Sequence, residues 1–112
     1  MLVLLTDLVD HAIEESLLPA LPLITRTHLV VIGGVRDPQV EAWAQGDVGD
    51  DLDGDPEAAA YRQAAAVQAL TERRRTIARL RGMGVTVVDA APGRLAPELA
   101  DAYLRAKSTG RL

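Results

Sequence analysis

The sequence predicts an α/β fold, a parallel sheet of three strands with flanking helices, and two observations lead there. Residues 2–5, 28–35 and 84–90 are short apolar runs, the last two rich in valine, which is the pattern of strands buried on both faces. Each gap between them is long enough to hold a helix and to return the chain to the same end of the sheet. At 112 residues and 12.0 kDa, 48% hydrophobic and 25% charged, the chain is expected to be a single domain or a fragment of one over residues 1–112. With one Trp, two Tyr and no Phe, its core must be aliphatic.

The first strand is Leu-Val-Leu-Leu at 2–5. Over 10–24 the positions Ile13, Leu17, Leu18, Leu21 and Ile24 recur at three- and four-residue spacing, which predicts an amphipathic helix. Pro19 and Pro22 should kink it or end it early, because each removes an amide donor and clashes with the preceding turn. The second strand, "HLVVIGGV", ends in Gly33-Gly34. Asp37-Pro38 then reads as a helix start, with the carboxylate as N-cap and proline at the first helical position. A short helix runs to Trp43. Residues 46–57 are loop by composition. The longest helix is predicted over 56–82, with Val67, Leu70, Ile77 and Leu80 on the buried stripe and Arg74 lying between them along the sheet's rim. The third strand is 84–90, and a last helix covers 96–107.

Right-handed crossovers that advance in one direction put their helices on one side of a sheet. Three all-apolar strands with cover for only one side are what half of a doubly wound domain would look like, the other half lying N-terminal to Met1.

Each strand runs into an aspartate: Asp7, Asp37 and Asp89. The crevice at the carboxyl ends of parallel strands is the usual ligand site. Asp37 reads as the N-cap before Pro38, and Asp89 as a turn residue leading to Pro92-Gly93. Asp10 can cap the first helix and so leaves Asp7 free. Thr6, Asp7 and Asp10 form an incomplete cation site, since magnesium takes more oxygen ligands than one loop supplies. The loop "DDLDGDPE" resembles the start of a calcium loop but has Pro56 where glycine is needed and Arg62 at the twelfth position. It is read as a solvated acidic loop. No nucleophile elbow, Walker loop or dinucleotide turn occurs. The leading expectation is therefore a domain without catalysis of its own. The alternative is a magnesium-dependent phosphate-handling enzyme using Asp7, Asp37 and Asp89, with Lys107 or Arg94 as the cation.

Net charge is −4, which disfavours nucleic acid and anionic membrane surfaces as partners. The apolar start is too short to cross a bilayer, so direct membrane insertion is not expected. The absence of cysteine fits a reducing, cytoplasmic setting.

The segments "LLTDLVD", "HLVVIGGVRDP" and the stretch from Ala60 to Leu112 together resemble the C-terminal half of the von Willebrand factor A-like domain of bacterial domain-of-unknown-function family 58. The likeness rests on Gly84 to Asp89, on Leu95 to Pro97 and on Tyr103 to Leu112, in that order. It implies action beside a MoxR-type AAA+ ATPase in chaperone-like assembly, with membrane segments upstream in many members. Asp7 matches the last aspartate of that family's metal-ion-dependent adhesion site. The Asp-x-Ser-x-Ser loop that completes such a site occurs nowhere in residues 1–112, so magnesium belongs to the complete domain and not to this chain. The resemblance also leaves the first strand without a neighbour, and a homodimer through its edge or the bare sheet face is expected.

Overall fold

The computed structural model of the chain describes residues 1–8 and 16–111. Its elements are β1 (Leu2–Leu5), α1 (Leu21–Ile24), β2 (Val30–Val35), α2 (Pro38–Ala44), α3 (Pro56–Gly82), β3 (Thr86–Ala90) and α4 (Leu95–Ser108). The strands form one parallel sheet in the order β1-β2-β3. Leu4 lies beside Ile32, and Ile32 beside Val87. The α/β class read from the sequence is the one observed.

The boundaries follow local chemistry. Leu21–Ile24 is the one α-helical stretch of the predicted 10–24 helix among the described residues, and Pro22 sits in its first turn, where a missing N–H leaves no bond unmade. Asp10, with the rest of 9–15, lies outside the described residues. β2 starts later than its apolar run, because the His28 amide donates to the Ile24 carbonyl in the turn after α1. β3 starts later as well, since Gly84 at φ +86° carries the turn out of α3. Both α2 and α3 begin as an Asp-Pro pair predicts. Asp37 Oδ1 accepts from the Gln39 amide at 2.9 Å, and Asp55 Oδ1 accepts from the amides of Glu57 and Ala58.

The sheet packs on both faces. Val30, Ile32, Val85 and Val87 point to one side, against Ile77 and Leu80 of α3 and Leu21 of α1. Val31, Val88 and Ala90 point to the other, against Ala102, Leu95 and Leu99 of α4. The expectation of cover on one face only is thus corrected. The crossover helices do share a face, but α4 follows β3 and folds back across the opposite one. Gly33 makes this approach possible: a Cβ there would lie 3.1 Å from Leu95 Cδ1 and 3.4 Å from Leu99 Cδ2. α4 reaches β2 and β3 but leaves β1 bare. On its side of the sheet Val3 is 39%, Leu5 66% and Val35 41% exposed.

Helix α3 has 27 residues, a length of about 40 Å, whereas strands of this kind span less than about 20 Å. Its N-terminal half therefore overshoots the carboxyl end of the sheet and packs on α2, which draws the molecule out to 55 × 29 × 16 Å. This explains why Val67, expected on the buried stripe, is exposed.

The crevice at the carboxyl ends of the strands

Asp7 is positioned by the turn that ends β1. The Thr6 amide donates to the Gly33 carbonyl at 3.0 Å, and the Thr6 hydroxyl accepts from the Leu8 amide at 3.2 Å. The chain bends so sharply that Leu8 takes φ +59°, a left-handed conformation unusual for a branched side chain. Core burial sustains it. Leu8 is 2% exposed and lies over Gly34, where a Cβ would sit 2.9 Å from Leu8 Cδ1 and 3.0 Å from the Thr6 carbonyl oxygen. With Leu8 drawn inward, Asp7 is left on the outside of the turn. Its Oδ1 has a long 3.5 Å contact with the Thr6 hydroxyl.

Arg73 organises the crevice. Its Nη1 donates to the Asp7 carbonyl oxygen at 3.0 Å, and its Nη2 donates to Asp89 Oδ1 at 2.7 Å. One guanidinium thus joins the end of β1 to the end of β3. Its Nε is buried without a partner. Asp89 is therefore the mate of an arginine and not the turn residue that the sequence suggested. The rim arginine is also corrected from Arg74 to Arg73. Position 73 is seven residues, two helical turns, from both the buried Ala66 and the buried Leu80, so it falls on the sheet-facing stripe, while Arg74 is exposed.

The three strand-end aspartates line two adjoining hollows that share Asp37 and Arg73. Asp7 lines one of them, and Asp89, with Arg36, lines the other. Their carboxylates have different employments: Asp37 caps α2, Asp89 is paired with Arg73, and Asp7 faces solvent. Among the described residues no group of three or more carboxylates and imidazoles is placed to hold a metal ion. Thr6 and Asp7 alone offer fewer oxygens than a divalent cation takes. Lys107 cannot serve the crevice, because α4 carries it back to the opposite end of the strands, beside Ala106 and its neighbour Leu29. Comparison with family models, curated proteins and solved structures gives no significant match.

Above the crevice, the overshooting half of α3 is tied down by Arg62. Its guanidinium stacks on Trp43 at 4.7 Å, makes a two-point pair with Asp51 at 2.8 and 3.1 Å, and donates to the Val48 carbonyl oxygen. The hydrogen bond from Arg62 holds the Asp51 carboxyl below its usual range, and the same bond raises Arg62. The residue that spoils the calcium pattern is thus the one that fastens the acidic loop. No helix among the described residues is long and apolar enough to cross a membrane.

Proposed function

We propose that the chain is a protein-interaction domain with no catalysis of its own, working with a MoxR-type AAA+ ATPase in chaperone-like assembly, as the sequence resemblance implies. The observation that supports this reading is the exposed apolar strip beside a strand edge that no other strand among the described residues pairs with. Val3, Leu5 and Val35 stand exposed together on one side of the sheet, and contiguous exposed apolar surface of this kind marks contact sites for other proteins. The strand-end crevice supports it from the other side, since Asp89 is neutralised by Arg73 and Asp37 serves as a cap. The setting that accords with this role is the cytoplasm, with any membrane anchor supplied from outside this chain.

Binding of the purified chain to a MoxR-type AAA+ ATPase of the same organism, measured by interferometry, tests the reading. Leu5→Asp is expected to weaken that binding by about tenfold or more, a typical loss for a residue central to an interface. Absence of binding by the unaltered chain, or binding indifferent to Leu5→Asp, would contradict it.

One observation favours the second reading, a magnesium-dependent phosphate-handling enzyme: Asp7 and Asp37 line one hollow, and Asp37 and Asp89 line the hollow beside it. That reading requires magnesium-stimulated hydrolysis of an aryl phosphate that disappears in Asp7→Asn.

A further inference from the structure

The two edges of the sheet are built in opposite ways. On β3 the backbone groups of Val87 face outward, and Arg81 Nη2 donates to the Val87 carbonyl oxygen at 3.2 Å. Glu98, Asp101 and Arg105 stand along the same edge. A charged side chain seated on an edge carbonyl blocks the approach of another strand. Among the described residues β1 has no such guard. Residues 2–5 carry no charge and no proline, and among the described residues nothing pairs with the outer side of the strand.

Which groups are open follows from the ladder. The Leu2 amide donates to the Leu29 carbonyl and the Thr6 amide to the Gly33 carbonyl, so the even-numbered residues of β1 face β2. Backbone alternation then turns the N–H and C=O of Val3 and Leu5 to the open edge. An antiparallel pair exchanges both bonds between residues that face each other. If β1 meets a second copy about a two-fold axis at Leu4, Val3 of each chain lies opposite Leu5 of the other, and all four outward groups per strand are satisfied. The same register sets Leu4 beside its twin. It also keeps like faces together, so that Val3 and Leu5 of both chains adjoin on the side that α4 leaves bare.

The exposed area is consistent with such a partner. The chain exposes 7193 Å², where a folded monomer of this mass exposes about 6000 Å². Its radius of gyration is 16.9 Å against about 13 Å for a compact chain of this length. Part of the excess belongs to the projecting half of α3, and part to the exposed side chains of β1.

We infer that β1 pairs antiparallel with β1 of a second copy of this chain, through the outward groups of Val3 and Leu5, to make a continuous six-stranded sheet with β3 at both outer edges. This rests on the interaction reading above and names one partner for the same surface. The test is the solution mass by light scattering. The unaltered chain is expected at twice its 12.0 kDa. Val3→Pro removes an amide that points away from β2, so it leaves the β1–β2 ladder intact and is expected to give a 12.0 kDa species with its circular dichroism retained. Leu5→Asp, at a side chain already largely exposed, provides a second variant with the same expected result should Val3→Pro not fold. Val35→Lys changes the same face away from the edge and is expected to remain a dimer. A monomeric unaltered chain would overturn the inference, as would a dimer that survives Val3→Pro and Leu5→Asp or is broken by Val35→Lys. In the monomeric case the interaction reading stands or falls separately, on whether the ATPase still binds and Leu5→Asp still weakens it.

Discussion

Arg73 is the residue on which the strand-end crevice depends. It meets a half-buried carboxylate on β3 and a carbonyl on β1 at once, and hydrogen bonds to charged partners are the stronger kind. Arg73→Met keeps the packing of the side-chain stem but leaves Asp89 unpaired. It is expected to destabilise the fold by about 1.5–3 kcal/mol in urea unfolding, with part of the loss recovered when Asp89→Asn is added. A change within about 0.5 kcal/mol, the range of an ordinary surface substitution, would contradict the bridging role. The sequence pointed to an arginine here and missed its identity by one position. Leu70, Ile77 and Leu80 mark the buried stripe, but a single helical turn contains Arg73, Arg74 and Arg75 in succession. Both Arg73 and Arg74 are three and four residues from Leu70 and Ile77, so the signal that selects Arg73 is its seven-residue spacing, two helical turns, from the buried Leu80 and from the buried Ala66. The part of the site carried by Asp37 was fully legible, because an Asp-Pro pair has one dominant use at a helix start.

At the scale of elements, the strands were readable as short continuous apolar runs, and the long helix as a run of helix formers between the Asp55-Pro56 start and Gly82. The side of the sheet taken by α4 was not. Crossover handedness governs connections between strands, and α4 is not a connection between two of the three strands of this sheet. Its placement is decided by small residues, Ala102, Ala106 and Gly33, which let helix and sheet approach closely. The α2–α3 connection carries its own prediction. The folded pKa of Asp51 is lowered by the Arg62 hydrogen bond, so this contact contributes stability above the usual carboxylate range and loses it as pH falls through the folded value. Acidification is therefore expected to release the 46–55 loop and to change the emission of Trp43, the single tryptophan, on which Arg62 stacks, before helical ellipticity is lost. Emission that changes only together with global unfolding would contradict this.

For the whole molecule, the open edge of β1 and the elongated shape belong to one account. A three-stranded parallel sheet with apolar residues on both faces needs cover. Helices α1 and α3 supply it on one face, Leu4 of β1 included, and α4 supplies it on the other over β2 and β3 but, among the described residues, not over Val3 and Leu5 of β1. The sequence suggested, because the connecting helices fall on one side, that one whole face would go uncovered, which α4 overturns. It did not show that the shortage would be confined to one strand, since that depends on where α4 comes to rest. The guarded edge at β3 and the bare one at β1 then give the molecule a direction in which to associate. Residue-resolved amide hydrogen exchange in β1 tests this most directly. The account predicts that Val3 and Leu5, whose amides point to the open edge, are protected as strongly as Leu4, whose amide is bonded to β2, and that the protection of Val3 and Leu5 falls as the chain is diluted. Fast exchange at Val3 and Leu5 beside a protected Leu4, at every concentration, would contradict it.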